Sequence, residues 1–457
     1  MKARRVRSVL ALGVYVVGST IAAAGPPLEV SSEPVVLLGV DVLIAEDFTP
    51  LRAEKLAEGS RETLRVGLIT NPTGVTRDLR STIDVLHARS GGAQEQAGAP
   101  AVHGEPEQAG APAVQSGAEL RSLFGPEHGV RGEAPAGEHV ESTRDAATGL
   151  PVYSLYGKTR KPTADMLADL DALVFDIQDI GSRSYTYIST MAAAMEAAAE
   201  HGKRFVVLDR PNPLGGLRVE GRPLDLEYRS FVGYLPIPYV HGMTVGELAR
   251  MINGEGWLPG GAKCDLTVVP LRGWRREMLW EDTGLRWIPA SPHVPRAESA
   301  LFYAATGIMG ELQVISEGVG YPLPFELAGA PEIEPRALAQ ELSRRGLAGV
   351  HFQPTYFQPY YTRLARQTCG GVQIRLTDPR RAALTPIQFH IMDAVRALYP
   401  ELKLFTGRRD AMFDKVCGTD QVRRMFAQGR PVDEILAFWS EGEERFREQR
   451  KPYLLYE

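Results

Sequence analysis

Three polar loops carry the residue types that could do chemistry, and each follows a short apolar run of strand character. Gly125-Pro126-Glu127-His128-Gly129 follows Leu120–Phe124. Asp176-Ile177-Gln178-Asp179-Ile180-Gly181 ends the run Ala172–Ile177, with Arg183, Tyr185 and Tyr187 just beyond. Asp209-Arg210-Pro211-Asn212-Pro213 ends the run Arg204–Asp209. A carboxylate on a glycine-flanked loop can approach a ligand closely, because glycine removes side-chain bulk and permits unusual backbone angles. Carboxylates converging at one sheet edge would repel, raising at least one pKa toward the range of a general acid. Any one of them alone reads equally well as a helix or turn cap. Three at successive strand ends point to a site. His128 is, by itself, more a hydrogen-bonding loop residue than a catalyst.

Competing chemistries leave less trace. No G-x-S-x-G elbow marks a serine hydrolase, and neither a post-strand G-x-G-x-x-G nor a P-loop marks a nucleotide site. His128, Glu138, His139 and Glu141 could hold a metal, yet no H-E-x-x-H or H-x-H sets the spacing. A metal-dependent hydrolase therefore remains the alternative reading.

The elements that must position these loops alternate. Strand-like runs at Leu38–Ile44, Leu64–Thr70 (ending in the turn Asn71-Pro72-Thr73-Gly74) and Leu266–Val269 join those above. Helical spacing marks Arg77–Ala88, Thr186–Glu200 and Val245–Ile252, the last with a Thr244/Glu247 capping box and Asn253-Gly254 as its stop. This is an α/β pattern with a mainly parallel sheet, over residues 35–325. Beyond about residue 325 come a helix at Pro335–Arg345, the stretch Gly349–Pro354, a strand at Gly371–Thr377, and helices near Pro386–Leu398, Asp420–Gln428 and Val432–Arg447. That reads as a smaller α+β unit over residues 326–457. Residues 90–117 hold Glu-Gln-Ala-Gly-Ala-Pro-Ala-Val twice with little to bury, and are expected to be a disordered insertion.

The 457 residues, 44% hydrophobic and 23% charged, suit a soluble globular chain of two packed units. Residues 1–24 read as a cleaved signal peptide: Lys2, Arg4, Arg5 and Arg7, an apolar run from Val9 to Ile21, then Ala22-Ala23-Ala24. The expected location is periplasmic or secreted, with no membrane association after cleavage. Removing four basic and no acidic residues would carry the net charge from -5 to about -9, which argues against a nucleic-acid partner. Cys264, Cys369 and Cys417 are too few and scattered for a disulfide framework.

Together, Gly67–Gly74, Gly125–Gly129, Leu150–Gly157, Phe175–Gly181, Asp209–Pro213, Pro238–Gly242, Ser316-Glu317-Gly318 and Tyr453–Tyr456 resemble the exo-β-N-acetylmuramidase (NamZ-like) family, long described as a domain of unknown function. The resemblance runs from about residue 37 to the end. It implies a Rossmann-like domain and a smaller C-terminal domain around a cleft, and no cofactor. The activity implied is exo-acting release of N-acetylmuramic acid from non-reducing ends of peptidoglycan fragments, which are the expected partners. By this likeness Glu127 is the acid/base with His128 its neighbour. Glycoside chemistry leaves a second role, as base or nucleophile, that Asp176 or Asp179 could fill. Alternatively, the sugar's own 2-acetamido group attacks and an aspartate orients it. The lactyl carboxylate of muramic acid wants an arginine fork, for which Arg131, Arg183 and Arg210 are candidates. Tyr185 could stack on sugar, and Asn71, Asp209, Asn212, His241 and Glu317 complete the substrate-binding set. Family members commonly read Ser-Glu-Gly-Arg-Gly-Thr where this chain has Ser316–Tyr321, Ser-Pro-Asn where it has Ser291-Pro292-His293, and Glu-Gly-Thr-Asn near Gly310–Val314. A wall-sugar-binding protein without turnover is the reading if those differences have dismantled the site.

Overall fold

The computed structural model describes residues 35–52, 63–90, 117–132, 143–157 and 159–457. Residues 1–24, nearly all of the 90–117 insertion, and Glu138, His139 and Glu141 lie outside them. Among the described residues, no helix is long and apolar enough to cross a membrane.

The larger sheet contains β1 (Leu64–Thr70), β2 (Ala118–Gly125), β3 (Thr143–Arg144), β4 (Pro151–Ser154), β5 (Ala172–Asp176), β6 (Arg204–Leu208) and β7 (Asp265–Val269) in the order β3-β4-β2-β1-β5-β6-β7. Every pairing is parallel except β3 with β4. All five residues of β5 are buried, as a central strand covered on both faces requires. Side chains alternate between two cores. Val206 and Leu208 face the helices α1 (Gly39–Ala45) and α2 (Thr82–Arg89), while Phe205 and Val207 face α3 (Tyr187–Glu200) and α4 (Val245–Glu255). The chain adds β2 and β4 on one side of β1 and β5 to β7 on the other. The switch point, where ligands of open α/β sheets bind, therefore lies between β1 and β5.

Leu38–Ile44 is a helix, not the expected strand. A short stretch with five apolar residues in seven is ambiguous by pattern, and burial decides it. A Cβ on Gly39 would lie 2.3 Å from the Asp209 backbone nitrogen, so the helix start sits directly on the sheet edge. The Thr244/Glu247 box does cap α4, at 3.1 and 3.2 Å. The helix nevertheless passes through Asn253-Gly254 and stops at Gly256, with φ +65°. Gly254 instead leaves room for the Tyr453 ring.

A smaller antiparallel sheet of β8 (Leu327–Ala330), β9 (Val350–Phe357) and β10 (Cys369–Leu376), ordered β8-β10-β9, occupies the C-terminal part. Its helices include α5 (Glu298–Gly310), α6 (Pro335–Arg344), α7 (Thr385–Leu398) and α8 (Asp410–Cys417). Gln388 of α7 accepts from the Ile308 and Met309 amides at 2.9 and 3.1 Å, stitching α5 to α7. The helix expected over Val432–Arg447 is two, Val432–Trp439 and Glu443–Arg450, broken where Gly442 takes φ +89°.

Candidate active site

A cleft of about 540 Å³ opens at the carboxyl edge of the larger sheet. Glu127 and His128 enter it after β2, Tyr156 and Arg160 after β4, Ser184 to Thr186 between β5 and α3, and Tyr187 at the start of α3. Ser230 to Val232, Ser291 and His293 come from later loops, Tyr303 and Glu311 from α5 and its end, and Lys415 from α8.

The Glu127 loop is a tight turn. The Gly129 amide donates to the Pro126 carbonyl at 3.1 Å, and the Leu155 amide donates to the Gly125 carbonyl at 2.8 Å, tying the turn to the end of β4. His128 takes φ +77°, a left-handed conformation that costs a non-glycine residue about 1 kcal/mol or more. That strain lets His128 pack inward, 8% exposed, while Glu127 stays half-buried at the cleft wall. The Tyr156 phenol faces Glu127. Burial, then the Glu127 charge, pushes it up to about 12.

The floor is aromatic. Tyr185 meets Tyr187 edge-to-face at 4.9 Å and Tyr303 at 5.8 Å, and Tyr303 meets Phe325 at 4.9 Å. The Ser184 hydroxyl lies 3.0 Å from those of both Tyr239 and Tyr303. Asp179 sits close enough for its charge to act on Tyr185, Tyr187 and Tyr303. Its Oδ1 accepts the Gly181 amide at 2.8 Å, while Oδ2 is buried without a partner. Burial pushes its carboxyl up to about 7. The expected carboxylate elevation thus exists, but desolvation causes it rather than repulsion between neighbours.

Of the residues singled out from the sequence, the structure brings Glu127, His128 and Tyr185 into the cleft wall and Asp179 behind its floor. Asn71 closes the end of β1, accepting the Thr73 amide and hydroxyl at 3.0 and 2.5 Å. Asp176 is fully spent: Oδ1 takes Arg210 at 2.6 Å and Oδ2 takes the Thr82 hydroxyl at 2.6 Å. Arg210 also donates to the Val75 carbonyl. Asp209 accepts from the Arg210 and Gly246 amides and the Thr244 and Tyr456 hydroxyls, which anchors α4 and the C-terminal tail. Asn212 holds the Met243 carbonyl and the Leu214 amide. Arg183, wholly buried, donates to the carbonyls of Arg222, Ile237, Val416 and Cys417. Arg131 pairs with Asp145 and Asp84. None of these three arginines turns a fork to the cleft, because each is consumed by its own neighbours. His241 accepts the Met243 amide, and burial drives it down to about 3, so it stays neutral. Glu317 packs on Gly310 near Glu311, and burial pushes it up to about 7.

Sequence reasoning missed Tyr156, Arg160, Phe231, Tyr303 and Lys415. It also quoted His293 and Glu311 only as differences from the family pattern, and both line the cleft. Glu311 is paired with Arg409 at 2.6 Å, and His293 lies 2.9 Å from the Tyr361 hydroxyl. Tyr156 lay inside a motif already quoted; the others carry no local signal. Among the described residues, no group of three or more His, Cys, Asp or Glu is arranged to hold a metal ion.

Residues 66–298 match the family description "Exo-beta-N-acetylmuramidase NamZ, N-terminal", and residues 301–456 match its C-terminal counterpart. The chain is 40% identical over 447 residues to the peptidoglycan beta-N-acetylmuramidase NamZ of Bacillus subtilis (strain 168), covering 97% of this chain and 98% of that one. Two solved DUF1343 family proteins of Bacteroides fragilis NCTC 9343 share the architecture. One has TM-score 0.81 and 45% identity, the other TM-score 0.67 and 31% identity, and each match covers 92% of this chain and 99% of that one. These likenesses span both the sheet that carries the Glu127 loop and the smaller unit, and the chain belongs to the NamZ exo-β-N-acetylmuramidase family of glycoside hydrolases.

Proposed function

We propose that this chain hydrolyses peptidoglycan fragments from their non-reducing ends, releasing N-acetylmuramic acid, with Glu127 as general acid/base. The observation that carries this reading is the half-buried Glu127 on a strained turn in the cleft, facing Tyr156. The name of the Bacillus subtilis relative supports the substrate class.

Cleavage passes through an oxocarbenium-like state. As general acid, Glu127 gives a proton to the glycosidic oxygen as the C–O bond breaks, and the leaving sugar departs as an alcohol. Asp176 has no free oxygen for a second role. Asp179 lies behind the tyrosine floor and outside the cleft lining, so neither aspartate is placed to attack the anomeric carbon itself. Water then supplies the hydroxyl at that carbon and returns its proton to Glu127.

Export to the periplasm or the medium completes the proposal, supported by the basic start, apolar run and Ala-rich end of residues 2–24. The test is incubation with the disaccharide N-acetylmuramyl-N-acetylglucosamine, with and without a chelator, followed by mass spectrometry. Free N-acetylmuramic acid in both samples supports the reading. Intact disaccharide in both refutes it, and loss only with chelator favours the metal-dependent alternative.

A further inference from the structure

Muramic acid differs from glucosamine only in its 3-O-lactyl group, which adds one carboxylate. A cleft that selects it must offer a cation, and the three arginines expected for this task are all engaged elsewhere. Among the described residues lining the cleft, the side-chain cations are Arg160 and Lys415. Both are exposed, and among the described residues neither forms an ion pair with a carboxylate. Glu311 across the cleft is already neutralised by Arg409. The Arg160 guanidinium lies over the Phe231 ring, 4.5 Å from its centre, a cation–π contact that positions an otherwise exposed guanidinium at the cleft. Tyr156 experiences both the Glu127 and the Arg160 charges, so the acid and this cation share one corner of the cleft.

We propose that Arg160, held over Phe231, is the fork that receives the lactyl carboxylate, with Lys415 as a second positive charge lining the same cleft. This deepens the functional reading above and rests on it. A planar guanidinium receives a carboxylate in two parallel hydrogen bonds, which a point-charge ammonium does not reproduce. The site thereby distinguishes muramic acid from N-acetylglucosamine by charge, in a wall whose other ionisable groups are acidic or paired.

The test compares kcat/KM on the muramyl disaccharide and on its lactyl amide, which lacks the charge, for the parent, Arg160→Ala, Arg160→Lys and Lys415→Ala. In the parent the free carboxylate is preferred. Arg160→Ala should cost about 10- to 100-fold on the acid, mostly in KM, and bring the acid-to-amide ratio close to one. Arg160→Lys should recover only part of that ratio, and Lys415→Ala should lower it less than Arg160→Ala. An unchanged ratio in Arg160→Ala overturns the assignment. Should the parent prove inactive on both, the functional reading fails, and calorimetric titration with free N-acetylmuramic acid against N-acetylglucosamine decides this one. A parent preference lost in Arg160→Ala upholds it, and no preference overturns it.

Discussion

Arg210 Nε donates to Asp176 Oδ1 across 2.6 Å, with 3% and 0% of the two side chains exposed. A residue read from the sequence as catalytic and one read as substrate-binding, at the carboxyl ends of adjacent strands, are each other's structural partners. Removing one member of a buried pair leaves the other charge uncompensated. Arg210→Met should therefore lower stability by about 3–5 kcal/mol, read as a reduced urea midpoint. A midpoint matching the parent's would contradict the pairing's structural role.

Burial lifts Asp179 and Asp209 from 3.8 to about 7, and Glu317 from 4.5 to about 7. Each binds its proton more tightly folded than unfolded. The stability they contribute is complete below the unfolded values and is lost as pH rises through about 7. Their contribution to the urea midpoint should fall from pH 5 to pH 8. Asp179→Asn keeps the acceptor for the Gly181 amide and removes one titration, so its midpoint should fall less steeply. An identical slope in parent and variant would count against the buried, protonated Asp179.

Tyr156 presents its phenol to Glu127 from the end of β4. Tyr156→Phe keeps the ring and deletes the hydroxyl. Steady-state kinetics on the disaccharide should show kcat down about 10-fold with KM little changed, consistent with loss of one charge-assisted hydrogen bond. A change confined to KM would mean that Tyr156 holds substrate and takes no part in the chemical step.

Gly39 has no room for a methyl group, its would-be Cβ falling 2.3 Å from the Asp209 nitrogen and 2.7 Å from the Val269 carbonyl oxygen. Backbone, not a flexible side-chain end, must yield. Gly39→Ala should destabilise by about 1–3 kcal/mol, seen as a lowered thermal midpoint. Parent-like melting would show that α1 shifts freely on the sheet edge.

What the sequence disclosed follows from how local each signal is. Strands β1, β5, β6 and β7 and the Glu127 loop are written in contiguous apolar runs ending in glycine and polar residues, so they can be read without the fold. The Asp176–Arg210 pair spans 34 residues and exists only once β5 and β6 lie side by side. Asp209 looked available for the same reason, although its acceptor capacity is taken by Thr244, Gly246 and a tyrosine almost at the C-terminus. Arg160, Glu311 and Lys415 are lone polar residues with no periodicity around them. They meet only where the smaller unit's helices close the cleft beside β2 and β4. The Leu38–Ile44 run misled because its five apolar residues in seven fit a helix and a strand equally well.

The most direct test of the account is release of N-acetylmuramic acid from the disaccharide by the parent and by Glu127→Gln at matched folded concentration, quantified by mass spectrometry. The account predicts release by the parent and at least about 100-fold less by the variant, the least that loss of a general acid/base removes. Equal release from both proteins would contradict it.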